Sequence, residues 1–549
     1  FNNIFMGNLA GACVTTGTQS IFMGQQTGRK NISGGLKIAI GDNAGEEGMG
    51  ATSNGGIAIG YCSQRCSTCG SGNVALGNGS GFRLACGQNI MIGGQTGVNA
   101  TAAHGNTFVG HYAAGCFTTG CRNTFIGCHA GMGHTVGTFN VMLGACSGPR
   151  TCGAVGECNI FIGGYTASAM CCGLANVLIG THAGQCIRDA FCNIFLGRKS
   201  GLGQTSGCFN FYVGNHAGPS TCGASGCDNI GLGRDVMRNS TGSASYNIVL
   251  GNGAGFDITG NYNVILGCGA ALDSTTLNHG IVIGCEASPK STGDYTLSIG
   301  VRAGRCNTTG VRNINLGFCA GHGITTGESN ISIGRKAGAQ DCGASGEQNI
   351  SIGHRVGCDL TSGNYNTFLG TYGGNNITSG NYNIAIGYDI ALPSATGNAQ
   401  LAIGCGSNRW IAGDSSYNVT LAGIVTATAA GYLCASTICA DKYCGDSDSN
   451  FIAGTSAGLA ITDTSTSAFY NIFIGRETAK KINTGCDNII MGRNTFQNAT
   501  KGCKNLIIGT RNALTFSGTD NPQQNVFLGH YVANGMTGNC NNNVLIGTN

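Results

Sequence analysis

The hydrophobic and polar positions of this chain repeat one short unit: an asparagine, three mostly apolar residues and a glycine. Instances are NIFMG ending at Gly7, NTFIG ending at Gly127 and NIIMG ending at Gly492. About 31 candidate units follow one another, usually about 17 residues apart. Three apolar residues between Asn and Gly are too few for a helix but suit a short strand. The repeat therefore predicts an all-β β-solenoid, or β-roll, with one coil per unit.

The alternation of each strand decides which side chains face the interior. We count positions from the closing glycine, so that the strand occupies positions −3 to −1. Positions −3 and −1 are nearly always Ile, Leu, Val, Met or Thr, and we expect them to fill the interior. The asparagine at position −4, as in Asn123 and Asn193, is expected to stack into an amide ladder along the coils.

Position −2 is then expected to face outward, where its recurrent phenylalanines would form an exposed aromatic stripe. Soluble monomers rarely expose such a stripe, so we expect a second copy to cover it, most simply in a parallel homotrimer. The alternative is that other segments of the same coil fold over it. The candidate contact residues are Phe5, Phe22, Phe108, Phe125, Phe161, Phe195, Phe368, Phe473 and Phe527.

The regular spacing fails once, where the successive closing glycines Gly423 and Gly454 are 31 residues apart. We predict a regular solenoid over 1–404, irregular coils with a cysteine-rich insertion over 405–470, and a regular solenoid over 471–549. Loops on rigid scaffolds often bind partners, so this region is the candidate lateral or receptor contact. A disulfide-stapled structural bulge is the alternative. The candidate contact residues are Trp410, Lys442 and Tyr443.

The 31 cysteines recur where the chain enters or leaves the turns between strands. Stacked Cα atoms lie about 4.8 Å apart, so a disulfide is sterically plausible across one turn or between adjacent coils. Such bonds would stabilise a protein in an oxidising environment. In the segment DCGASGE, Glu347 replaces the second cysteine and leaves Cys342 without a partner across its turn. The candidates are Cys116 with Cys121, Cys152 with Cys158, Cys186 with Cys192, Cys222 with Cys227, and Cys434, Cys439 and Cys444.

Composition excludes several classes of function. The chain has 98 glycines, a net charge of +4 and only 9% charged residues. No Lys- or Arg-rich run points to nucleic acid, and no apolar run is long enough to span a membrane. The acidic residues are scattered, and the one Cys-x2-Cys, at Cys66 and Cys69, lacks a matching second pair. The sequence therefore predicts no enzyme, no catalytic residue, no cofactor and no metal site.

The two positions after the closing glycine collect basic, His and Tyr residues, as in His111, Tyr112 and His129. Stacked coils would place them on one stripe. That stripe would either contact anionic glycans or a neighbouring fibre, or keep a charge-poor rod soluble.

The unit N-x-x-IG-x-x-AG, seen at 123–131, combined with turns such as TSGNYN at 361–366, resembles the repeats of viral and bacteriophage tail-fibre-like proteins. Such repeats often precede an endosialidase-type intramolecular chaperone. The strand motif is also similar to the shorter unit in the β-roll heads of trimeric autotransporter adhesins. The resemblance implies a fibre or adhesin shaft that is extracellular or on a virion surface, with a cell-surface glycan or receptor as a possible partner.

Two other functions stay open. One is the subunit of an extracellular filament that assembles head to tail; the other is a glycan-degrading tailspike enzyme. Because the chain begins and ends inside a repeat, we expect it to be a piece of a longer polypeptide.

Overall fold

The computed structural model describes residues 2–47, 49, 54–67, 70–422, 450–454, 456–458, 468–517 and 520–548. Within these ranges the regular elements are all β-strands. Parallel strands about 17 residues apart stack into a β-solenoid of about 29 turns, which confirms the predicted fold class. The chain divides into two compact units, Phe1–Val425 and Thr426–Asn549.

The described residues of the first unit form 33 strands, most of them three residues long. They are β1 Ile4–Met6, β2 Ile21–Met23, β3 Lys37–Ile40, β4 Gly56–Ile59, β5 Asn73–Leu76, β6 Ile90–Ile92, β7 Ala102–His104, β8 Thr107–Val109, β9 Thr119–Cys121, β10 Thr124–Ile126, β11 His134–Val136, β12 Val141–Leu143, β13 Ala154–Glu157, β14 Ile160–Ile162, β15 Cys172–Leu174, β16 Val177–Ile179, β17 Asp189–Phe191, β18 Ile194–Leu196, β19 Ser206–Cys208, β20 Phe211–Val213, β21 Ile230–Leu232, β22 Ile248–Leu250, β23 Val264–Leu266, β24 Ile281–Ile283, β25 Leu297–Ile299, β26 Ile314–Leu316, β27 Ile331–Ile333, β28 Ile350–Ile352, β29 Thr367–Thr371, β30 Ile384–Tyr388, β31 Leu401–Cys405, β32 Asn408–Gly413 and β33 Val419–Leu421.

The second unit contains eight described strands. They are β34 Phe451–Ala453, β35 Ala468–Phe469, β36 Ile472–Ile474, β37 Gly485–Cys486, β38 Ile489–Met491, β39 Leu506–Ile508, β40 Val526–His530 and β41 Val544–Thr548.

Each coil contributes one strand to a long parallel sheet. In the first unit this sheet has 26 strands, and only its last two, β32 and β33, pair antiparallel. Corresponding residues of successive coils lie opposite each other, as in the run Phe108, Phe125 and Met142. A second parallel sheet of seven strands, β7, β9, β11, β13, β15, β17 and β19, lies on another side of the coils. In the second unit β34, β36 and β38–β41 form a six-stranded sheet, and β35 pairs with β37.

The interior is filled by position −2, and the predicted facing of the strands is therefore wrong. Phe22, Phe108, Phe125, Phe161, Phe195, Phe368, Phe473 and Phe527 are all fully buried. Only Phe5, on the first described coil, is exposed, at 41%. The alternation itself was correct, but the bulkier ring takes the inside and the branched aliphatic residues at −3 and −1 take the outside. The named phenylalanines are thus core residues, and the alternative interpretation of a stripe covered by its own coil holds.

The predicted asparagine ladder is present at position −4. The backbone N–H and the side-chain Nδ2 of Asn193 both donate to Oδ1 of Asn176, at 3.1 Å. Oδ1 of Asn193 in turn accepts the same two bonds from Asn210, at 3.0 Å. Nδ2 of Asn193 also donates to the carbonyl of Gly207, at 3.0 Å. Each amide therefore bonds to the amide of the coil before it and satisfies buried backbone groups of the coil after it, which is why a polar residue is stable in the interior.

The closing glycine is required by close contact between coils. Gly127 has φ +138°, and a Cβ at this position would lie 2.6 Å from the carbonyl carbon of Gly144 on the next coil. Both the backbone conformation and the space therefore exclude other residues.

We expect Asn193→Ala to lower the free energy of unfolding by about 3 kcal/mol, because it removes the acceptor of the buried backbone N–H of Asn210 and one bond each from Oδ1 of Asn176 and the carbonyl of Gly207. Guanidinium denaturation, combined with hydrogen exchange of the amides in these coils, measures the change. The control is Asn215→Ala, at an exposed position, which should stay within about 0.5 kcal/mol of the wild type. Equal effects of the two substitutions would show that the ladder does not stabilise the fold.

We expect acid to weaken the coils around His134. Its ring packs against Phe117 and Phe125, and burial lowers its pKa from 6.5 to about 4. Between pH 6.5 and 4 the unfolded chain binds a proton at this histidine and the folded chain does not. The free energy of unfolding is therefore highest above pH 6.5 and falls by about 3 kcal/mol as the pH drops to 4. His134→Leu should remove this pH dependence from denaturation midpoints measured at pH 7 and 4.5. Replacement of the exposed His279 by Ala should leave it unchanged.

Candidate interaction surfaces and covalent staples

An aliphatic surface follows the long sheet of the first unit. We call it the outer sheet face: positions −3 and −1 of the parallel strands of that sheet. None of these side chains is buried, and all are apolar except Thr107, Thr124 and Thr367. Ile194 and Ile248, for example, are 39% and 41% exposed. Three residues per strand and about 4.8 Å per coil give a face roughly 10 Å wide and 110 Å long, on the order of 1,000 Å².

An aromatic ladder runs along a corner of the coils at position −5. Tyr246, Tyr262, His279 and Tyr295 stack ring on ring, with centroids 4.8, 5.1 and 5.0 Å apart. All four have φ between 55° and 60°, a left-handed conformation at which the chain turns the corner. The three tyrosines are more than half exposed. Because the ring faces cover one another, the ladder presents ring edges and hydroxyl groups to solvent.

The basic and aromatic residues after the closing glycines interact between neighbouring coils. Nη1 of Arg335 lies 2.8 Å from Nε2 of His354, and the guanidinium of Arg355 lies over the ring of Tyr372, 5.5 Å from its centroid. The structure thus brings these residues together as stacking predicts.

Among the residues that the structure describes, three disulfides join cysteines 36 residues apart in sequence: Cys116–Cys152, Cys186–Cys222 and Cys306–Cys342, each with a Cα–Cα distance of 5.7 Å. The predicted pairings across single turns are wrong. Cys121, Cys158, Cys192 and Cys227 are not disulfide-bonded, although all four were candidates. Cys342, which the sequence left unpaired across its turn, is bonded to Cys306.

Each disulfide steps over the coil that lies between its two cysteines. The N–H of Cys116 donates to the carbonyl of Met132, so Cys116 stacks directly on the intervening coil. The next residue, Gly133, bonds to two residues of the following coil: its N–H donates to the carbonyl of Pro149, and its carbonyl accepts from the N–H of Ala154. The residues between Pro149 and Ala154 loop outward and carry Cys152 back to Cys116. A Cβ at Gly133 would lie 2.6 Å from the carbonyl carbon of Thr151.

The same arrangement recurs at the other two staples. Gly203 and Gly323 take the place of Gly133, and each would meet the outward loop in the same way. In all three cases the loop belongs to a 19-residue coil, which supplies the additional length. Two features therefore identify a pair of stapling cysteines: a glycine at the contact point of the intervening coil, and a 19-residue coil after it that carries the second cysteine. This signal is present in the sequence, but reasoning about single turns missed it.

Two further pairs of thiols lie in contact between adjacent coils. Cys208 Sγ is 3.0 Å from Cys227 Sγ, and Cys486 Sγ is 3.3 Å from Cys503 Sγ. The hydrogen bond with Cys227 and partial burial raise the pKa of Cys208 to about 11. Burial and the bond with Cys503 raise the pKa of Cys486 to about 12. The thiols of Cys208 and Cys486 are therefore protonated and unreactive at neutral pH.

Two groups of Cys and His side chains, among the residues that the structure describes, have the spacing of metal ligands. One is His111, Cys128 and His129, on the surface column after the closing glycine. The other is the third staple with His322, which lines a groove of about 920 Å³. In each group the ligand atoms all lie within 4.8 Å of one another. The sequence predicted no metal site because neither group has a recognised spacing motif; stacking alone brings the residues together.

The candidate receptor-contact region is only partly described. Trp410 lies on β32 of the antiparallel hairpin and is 64% exposed, and Tyr417, between β32 and β33, is 82% exposed. Lys442, Tyr443, Cys434, Cys439 and Cys444 lie outside the described residues.

Comparisons with family models, with curated proteins and with solved structures give no match to this chain. In the described part of the chain, no helix has the length and apolar character needed to cross a bilayer.

We expect Gly133→Ala to prevent the Cys116–Cys152 disulfide, because the new methyl group displaces the loop that carries Cys152. Alkylation and peptide mapping without reductant should show two additional free thiols per chain. Loss of a 36-residue loop closure should cost about 4 kcal/mol of stability. Gly164→Ala is the matched control, since a Cβ there comes no closer than 3.6 Å to its nearest neighbour. A quantitative disulfide in Gly133→Ala would contradict the step-over geometry.

Proposed function

We propose that this protein is the structural shaft of a fibre or adhesin, extracellular or on a virion surface, and that it functions as a parallel homotrimer. The observation that carries the proposal is the outer sheet face, which runs without interruption along the stacked coils of the first unit. A contiguous apolar face on the order of 1,000 Å² exceeds what soluble monomers usually leave exposed. It also exceeds the roughly 800 Å² that each partner contributes to a standard protein interface.

A second copy of the same chain is the partner that fits this face best. The face repeats at every coil, at the spacing of paired strands. A globular partner would cover a few coils and leave the others in water. A parallel copy repeats with the same period and meets the whole length in register.

The internal bonding suits a mechanical role. Backbone ladders, stacked asparagine amides and disulfides that each span three coils all resist local opening of the rod. Disulfides of this kind persist in oxidising surroundings, which supports a location outside the cell or on a virion. The exposed aromatic ladder and the hairpin with Trp410 are the surfaces on which a glycan or receptor would bind.

We expect Ile194→Lys combined with Ile248→Lys to dissociate the assembly, because burial of two charges per chain in an apolar interface is unfavourable. Sedimentation velocity and electron microscopy of the wild-type protein should show discrete rods of three chains. The same measurements on the variant should show single chains. Thr181→Lys, at an exposed position of the column after the closing glycine, should leave the trimer intact. A monomeric wild type would overturn self-association, and linear growth without limit would favour the head-to-tail filament.

A further inference from the structure

We propose that His111, Cys128 and His129 form a binding site for a borderline divalent transition-metal ion, of the class of Zn²⁺. The site would bridge the two coils that follow Gly110 and Gly127, on the solvent side. The inference is independent of the proposed fibre function.

The ligand atoms are held close together by the backbone. The N–H of His129 donates to the carbonyl of His111 at 2.9 Å, which fixes the two coils in register at this point. Sγ of Cys128 lies 3.4 Å from Nδ1 of His129, and the ligand atoms of all three residues lie within 4.8 Å of one another. Donor atoms of a tetrahedral zinc site lie roughly 3.5 Å apart, so the side chains need to move by only about 1 Å.

Tyr112 orients both imidazole rings. It stacks on the ring of His129, with 5.6 Å between centroids, and meets the ring of His111 edge to face at 4.5 Å. Part of the entropy of ordering two side chains is therefore already lost before the metal binds, which favours affinity.

The ligand set selects the class of metal. Imidazole nitrogen and thiolate sulfur are the preferred ligands of Zn²⁺, whereas Ca²⁺ and Mg²⁺ prefer oxygen. The thiol of Cys128 releases its proton when it coordinates. Three protein ligands leave a fourth position for water or for a group from outside the chain. His111 and Cys128 are exposed, so an ion can enter from solvent.

The same surface column supplies matched positions that lack the full set. His182 stacks on Tyr165 at 5.3 Å, as His129 stacks on Tyr112, but its neighbours Thr181 and Gly164 offer no imidazole or thiol. Cys268 is exposed at the position that corresponds to Cys128, with Gly269 where His129 would be. These residues separate a three-ligand site from the general affinity of surface histidines and thiols for metals.

The test uses the whole chain, purified without reductant so that the disulfides remain closed. After treatment with a chelator, Co²⁺ is added as a spectroscopic probe and then displaced by Zn²⁺, with a chromophoric chelator reporting zinc affinity. We expect the wild type to show the ligand-field bands of tetrahedral Co²⁺ and a thiolate-to-cobalt charge-transfer band, at one ion per chain. Cys128→Ser and His129→Ala should abolish both and weaken zinc binding by more than about 100-fold.

Cys268→Ser and His182→Ala should bind like the wild type. Circular dichroism and protease resistance of each variant show whether it is folded. If His129→Ala does not fold, His111→Ala, at an exposed position, takes its place. Equal spectra and affinities in the wild type and folded Cys128→Ser would overturn the site. Loss of the charge-transfer band in Cys268→Ser would also overturn it, because that result places the coordinating thiolate elsewhere.

Discussion

The parallel, in-register stacking of short strands is the constraint on which this structure depends. Each residue of one coil lies directly over its counterpart in the next, about 4.8 Å away. Any residue type that recurs at one position therefore becomes a continuous column. Apolar columns form the core and the outer sheet face, amide columns form the asparagine ladder, and aromatic columns stack ring on ring. A glycine column at position 0 allows the backbones to approach closely.

Stacking also requires that every buried polar group finds its partner on a neighbouring coil. Asparagine meets this requirement because one amide donates and accepts along the same direction. Where the ladder position holds Lys37 instead, Nζ donates to Asn31 and Ser33, and burial lowers the pKa of the ammonium group to about 8. A charge at this position is therefore less stable than the amide that most coils carry.

Surface features follow from the same geometry. The disulfides do not lock turns; each ties a long coil to the coil two before it, across a glycine that leaves room for the loop. The segment 116–131 illustrates how closely two roles are combined. Cys116 is a staple, whereas Cys128, one coil later and on another side, lies beside two histidines. The outer sheet face remains the surface whose apolar character most needs a partner.

The sequence by itself determined the period, the fold class and the asparagine ladder, because a repeat of Asn, three apolar residues and Gly has few ways to bury itself. It could not decide whether Phe125 or its neighbours Thr124 and Ile126 faced inward, since alternation fixes the two faces but not which one is closed over by the rest of the coil. The pairing of Cys116 with Cys152, and the approach of His111 to Cys128, were decided only by tertiary structure. Both depend on where a loop or a side chain lies after coils of different length have been stacked.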